Sequence, residues 1–129
     1  MEGPMPPRIL LVEDDREMAE SLSAPLVSSG YEVHVARDAA SAIASAKLRS
    51  PDVILLDLAV SNEEAYRLLD RSPLYDELAT APKVAMTDWN TMREKKRSVR
   101  AGVSYFLDKP VDRDQLVSVV SSILAKNSC

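Results

Sequence analysis

Five short apolar runs, spaced so that a helix-sized segment separates each from the next, limit this 129-residue chain more than any other feature. Ile9-Leu10-Leu11-Val12 (β1) and Val53-Ile54-Leu55-Leu56 (β3) are unbroken, and Val84-Ala85-Met86 (β4) is shorter but equally apolar. Continuous apolar runs of this length suit central strands covered on both faces. Tyr31-Glu32-Val33-His34-Val35 (β2) alternates and Val103-Ser104-Tyr105-Phe106-Leu107 (β5) is mixed, as edge strands are. Alternating strand and helix joined by right-handed crossovers makes a parallel sheet with helices on both sides.

The intervening helices differ in quality. In the last (α5), Leu116, Val119, Val120, Ile123 and Leu124 recur with helical spacing. Ala39, Ala42, Ile43 and Ala46 form a narrow small-residue face on the second, and Ala65, Leu68 and Leu69 mark the third. Pro25 falls inside the first, where it should kink or shorten it. The fourth (α4, about residues 91–101) has an apolar stripe of only Met92 and Val99 among Arg93, Lys95, Lys96, Arg97 and Arg100. Thr91 and Glu94 can form a capping box at its start. So little apolar area predicts a mobile element, with a basic face that is either solvated or a docking surface.

The expected fold is therefore α/β: a flavodoxin-like, doubly wound, five-stranded parallel sheet of order 2-1-3-4-5. Residues 1–7 read as a disordered leader and 8–127 as one domain, since a chain this long fits a single core. The formal charge of -4, with both signs mixed, gives no reason to expect direct contact with nucleic acid or an anionic membrane. No apolar stretch approaches the roughly 20 residues of a membrane span. The N-terminal stretch is not a signal peptide. Cys129 is the only cysteine, so no intramolecular disulfide forms, and a cytoplasmic location is expected.

In such sheets ligands bind beyond the carboxyl ends of the strands, where the strand order reverses. Here that point lies between β1, which ends in Glu13-Asp14-Asp15, and β3, which ends in Asp57. Thr87 ends β4 and Lys109 follows β5. Crowded carboxylates repel unless a cation intervenes, and Mg²⁺ takes a few carboxylates while keeping several waters. A carboxylate nucleophile beside a metal, with a lysine and a hydroxyl at hand, is a phosphoryl-transfer site. Taken singly, each residue has an ordinary reading as a solvated turn, a helix cap or a polar strand end. Asp15 is better read as a first-turn helix charge, and His34 as a solvated edge-strand residue.

The segments LLVEDD (10–15), VILLDL (53–58), VAMTD (84–88) and YFLDKP (105–110) together resemble the response-regulator receiver family of two-component signalling, over about residues 8–126. The resemblance implies that Asp57 accepts a phosphoryl group from a histidine kinase or phosphotransfer protein. It implies Mg²⁺ held by Asp14 directly, by Glu13 through water, by Asp57 and by the backbone carbonyl of Ala59. Lys109 would pair with the phosphoryl group and precede a cis Pro110. Thr87 would move to bond a phosphoryl oxygen, and Phe106 would turn inward as a switch, against a plainer role in core packing. The α4-β5-α5 face would then change, and there the family dimerises or meets output domains and partner proteins. On this reading the chain is a signalling module rather than an enzyme, beyond its own phosphoryl transfer and autodephosphorylation.

The chain departs from the family pattern at Ser61, where proline is usual, and at Ala65, where glycine is usual. Asp88 replaces a small residue beside the site, so it either slows phosphorylation by bulk and charge or turns away as a helix cap. Trp89 flanks the site and is expected to shield the aspartyl phosphate from water. These departures leave a second reading, a phosphorylation-independent interaction domain with a vestigial or gated site. A dehalogenase-like phosphatase would want a second carboxylate at Ala59, and a flavodoxin a Ser/Thr/Gly-rich loop after β1. Neither is present.

Overall fold

The computed structural model describes residues 5–88 and 91–127. Strands β1 (Arg8–Val12), β2 (Glu32–Ala36), β3 (Val53–Asp57), β4 (Lys83–Thr87) and β5 (Tyr105–Asp108) form one parallel sheet of order 2-1-3-4-5. The helices are α1 (Arg16–Ser28), α2 (Ala39–Leu48), α3 (Glu64–Arg71), α4 (Met92–Arg100) and α5 (Arg113–Asn127). A single helical turn, Asp76–Ala79, and two 3₁₀ turns, Ser61–Glu63 and Ser72–Leu74, complete the described connections.

The unbroken apolar runs take the centre because both of their faces are covered. β1, β3 and β4 are buried at every residue, whereas β2 and β5 are partly exposed at the edges. Alternation then divides the core in two. Leu10, Val12, Ile54 and Leu56 face α2 and α3, meeting Ala42, Ile43, Leu68 and Leu69. Ile9, Leu11, Val53 and Leu55 face α1 and α5, meeting Leu22, Leu26, Leu116, Val120 and Ile123.

Two helices depart from expectation. α1 runs on past Pro25 to Ser28, and the Ser29 hydroxyl and N–H both donate to the Pro25 carbonyl. α4 does not bury the stripe that its sequence offers. Met92 and Val99 are 65% and 51% exposed, and the residue that packs inward is Ser98, at 0%. The Ser98 hydroxyl donates to the Lys95 carbonyl at 2.8 Å, so its burial leaves no unmet donor. Thr91 caps α4, accepting from the Glu94 N–H at 3.2 Å.

Two buried cations were not foreseen. Arg8 donates to Ser45 Oγ at 2.8 Å and to the Ser45 and Arg49 carbonyls, tying β1 to the end of α2. Lys83 donates to the carbonyls of Leu78 and Ala81, closing the turn before β4. Burial lowers the pKa of both, and these carbonyls offset the cost of desolvation.

Candidate functional site

The parallel register brings four strand ends to one edge of the sheet. Val12 pairs with Leu56, Asp57 with Met86, and Thr87 with Asp108, so Glu13, Asp57, Thr87 and Lys109 follow from adjacent strands. Asp57, Thr87 and Glu13 are all buried. Asp57 Oδ1 accepts from Lys109 Nζ at 2.7 Å and from the Ala59 N–H at 2.9 Å. The Lys109 backbone N–H donates to the Thr87 carbonyl at 2.9 Å, fixing the base of the lysine on β4, and the Lys109–Pro110 peptide is cis.

Glu13 is 2% exposed, with no hydrogen-bond donor at its Oε1. Burial foremost, and then the Asp57 carboxylate by proton sharing and by charge, push its carboxyl up to about 7. The two carboxylates thus face each other, with Lys109 bound to Asp57 Oδ1 and no donor at Glu13 Oε1. Asp14 is more open and turned aside, with Oδ2 accepting from the Ser61 N–H at 3.2 Å. Bonding to Ser61 holds its carboxyl below the ordinary range. Asp15 caps α1 through the Met18 N–H at 3.1 Å, the helix-terminal role read from its position.

These residues fit a hard divalent cation. Mg²⁺ takes only one or two carboxylates and fills its remaining positions with carbonyl and water oxygens. The donorless Glu13 oxygen beside Asp57 marks where positive charge is wanted. Among the described residues no three His, Cys, Asp or Glu side chains already converge as a metal cluster, and Asp14 is the one held away by Ser61.

The rim of the site carries residues that sequence reading could not bring together. A cleft of about 210 Å³ is lined by Ala59, Glu63, Tyr66, Thr87, Asp88 and Arg97, among others. Arg97 of α4 pairs with Glu63 at 2.7 Å and lies 3.7 Å over the Tyr66 ring. Asp88 is exposed and lines this cleft, and Thr91 rather than Asp88 caps α4. Phe106 is half-buried against the α2/α3 side of the core, beside Ala85 on β4, with Lys95 Nζ 6.0 Å from its ring. His34 is exposed. Trp89 lies outside the described residues.

Residues 9–121 match the family model for the response regulator receiver domain. The chain belongs to that family. It is 27% identical to the protein PilH of Pseudomonas aeruginosa over 118 residues, covering 92% of this chain and 98% of PilH. It is 28% identical to the DNA-binding dual master transcriptional regulator RpaA of Synechocystis over 120 residues. That match covers 93% of this chain but 50% of the regulator, so the chain spans about half the length of such relatives. Among solved structures, the signal receiver domain of a signal transduction histidine kinase from Syntrophus aciditrophicus superposes with a TM-score of 0.85 at 29% identity. The superposition covers 95% of this chain and 92% of that one. Receiver domains are signalling modules of two-component systems. Among the described residues no helix is long and apolar enough to cross a membrane.

Proposed function

We propose that Asp57 accepts a phosphoryl group from the phosphohistidine of a sensor histidine kinase or phosphotransfer protein, with Mg²⁺ as cofactor. The observation that carries this reading is the buried Asp57 carboxylate, held at 2.7 Å by Lys109 next to a Glu13 oxygen that has no donor. An Asp57 oxygen attacks phosphorus, the P–N bond to the donor imidazole breaks, and the nitrogen keeps the electron pair. Asp14, Glu13, Asp57 and the Ala59 carbonyl would hold Mg²⁺, which when bound neutralises charge on the carboxylates and on the transferring oxygens. Lys109 exchanges its contact with Asp57 for a phosphoryl oxygen, and the Thr87 hydroxyl donates to another. Both act by positioning and charge, which is most of what phosphoryl transfer asks of a protein. Autodephosphorylation at the same site resets it.

Thr87 and Phe106 pass the change to the α4-β5-α5 face, which meets an output domain, a partner protein or a second copy. Phe106 lies on the same sheet face as Ala85, one strand over and two residues short of the level of Thr87, as such a relay requires. We place the module in the cytoplasm, without direct contact to nucleic acid or membrane.

The test is phosphorylation by a small phosphodonor with Mg²⁺, read as the mass increment of one phosphoryl group. The parent should be modified and Asp57→Asn should not; modification of Asp57→Asn at the parental rate overturns the assignment. Asp88 sits exposed at the cleft, where its charge repels an incoming phosphoryl anion, so Asp88→Ala should be modified several-fold faster by the same donor. Equal rates would remove it from the access path. That exposed acid also favours a second reading, an interaction domain that works without phosphorylation. Beryllofluoride with Mg²⁺ separates the two, because an unchanged amide spectrum on adding it supports the second.

A further inference from the structure

Each acid of the site rests an oxygen on a backbone N–H, but one of these bonds leads out of the acidic cluster. Asp57 Oδ1 accepts from Ala59 at 2.9 Å and Glu13 Oε2 from Asp15 at 3.3 Å, each two residues further along the same chain segment. Asp14 Oδ2 instead accepts from Ser61 at 3.2 Å, on the loop that leaves Asp57. Asp14 is thereby parked on that loop, and among the described residues no three acidic side chains converge.

The turn that presents this donor is well held. Asn62 and Glu63 both adopt left-handed conformations, with φ of 61° and 59°, and the Glu64 N–H closes on the Ser61 carbonyl. Asparagine tolerates that region, whereas glutamate enters it at a cost. Arg67 Nε on the Asn62 carbonyl at 3.1 Å and Arg97 on the Glu63 carboxylate at 2.7 Å keep the turn in this form. The usual proline at position 61 has no N–H and nothing with which to compete for Asp14. This chain has a donor there, and a carboxylate bonded to it is drawn less readily to a cation.

We propose that the Ser61 N–H is an autoinhibitory latch on Asp14, which raises the Mg²⁺ concentration at which the acidic site fills. Phosphoryl acceptance then waits on an ample supply of the cation. This rests on the reading of that site as the Mg²⁺ site. The latch lies wholly in the loops after β1 and β3 and asks nothing of Thr87, Phe106 or α4.

The experiment is a Mg²⁺ titration of the metal-free protein followed by backbone amide shifts, without a phosphodonor. In the parent, the Ser61 amide proton should move toward the shift of an unbonded amide, with the same Kd as the amides around Asp57. Ser61→Pro fits the backbone, because Ser61 opens a 3₁₀ turn and Val60 already has the extended conformation that precedes proline (φ -54°, ψ 135°). It should lower the Mg²⁺ Kd by roughly five- to tenfold, the scale of one hydrogen bond to a charged acceptor. Ser61→Ala, which keeps the N–H, should stay close to the parental Kd. A Ser61→Pro variant that binds Mg²⁺ no tighter than the parent would overturn the latch. So would a Ser61 amide that keeps its bonded shift at saturation, a measurement that needs no variant to fold. Ser61→Ala binding as tightly as Ser61→Pro would also overturn it, because the effect would then belong to the hydroxyl. In each of these cases the parent still responds at its acidic residues. If neither the parent nor Ser61→Pro responds there, the site reading falls and the latch with it. A response in Ser61→Pro where the parent shows none supports the latch.

Discussion

At the scale of single residues, the distinguishing feature is a buried glutamate, Glu13, with one oxygen that meets no donor. Glu13 holds its proton up to about pH 7, first because burial disfavours its charge and then because Asp57 stands beside it. The unfolded chain releases that proton near 4.5, so between these values the native state binds more protons than the unfolded state. Stability therefore falls as pH rises through that window, and the loss is complete above it. In metal-free protein, Glu13→Gln should flatten this fall by an amount of order 1–3 kcal/mol, measured by urea unfolding in chelator at pH 5 and pH 8. A fall that is unchanged in Glu13→Gln would place its origin elsewhere. Mg²⁺ should restore stability most at the higher pH, where the carboxylate is bare. This property was half legible in the chain. An acidic run after an apolar strand is visible in sequence, but which acid becomes the buried one is not. Asp14 and Asp15, its immediate neighbours, end as a partly open carboxylate turned to Ser61 and a helix cap.

At the scale of elements, α4 and α5 show opposite relations between pattern and packing. α5 buries Leu116, Val120 and Ile123, members of the very stripe that its periodicity marks. Leu116→Ala should accordingly cost about 2–5 kcal/mol, read by denaturant unfolding. α4 offers Met92 and Val99 as its apolar residues and buries neither, because the neighbouring surface admits a small side chain. Ser98→Leu should destabilise by about 1–3 kcal/mol through overpacking. Val99→Ala should be nearly neutral by the same unfolding measurement. Native-state hydrogen exchange should find α4 opening well below the global unfolding free energy while α5 exchanges near it. Equal protection of the two helices would contradict this order. Arg97 ties α4 to Glu63 and Tyr66, which lie about 30 residues back in the chain, and no local pattern signals such a pair.

For the whole molecule, one sheet supports two cores that share only the strands. Leu55 and Leu56 are neighbours in sequence, yet they point into opposite cores, toward α1/α5 and α2/α3 respectively. Truncating either to alanine should cost about 3–5 kcal/mol, and each variant should still melt in one transition, because the strands couple the two sides. Separate transitions for Leu55→Ala would show the layers to be independent. The sheet order also sets the polar edge. Four segments far apart in sequence meet there because parallel strands all end on the same side, and crossovers return the chain to the other.

The strands, their central or edge placement, the helix faces of α2, α3 and α5, and the four strand-end residues Glu13, Asp57, Thr87 and Lys109 were all legible in the linear chain. Their signals are local, in period, in burial on two faces, and in a polar residue ending an apolar run. Tertiary structure decided what depends on distant partners: which acid is buried beside Asp57, which face of α4 turns inward, and where Arg8 and Lys83 place their charge. It also decided that the unusual Ser61 meets Asp14 and that Glu63 meets Arg97. The physical reason is the range of the interactions. Hydrophobic periodicity repeats within a few residues, whereas a buried charge or a left-handed turn is stabilised by whatever the fold sets against it.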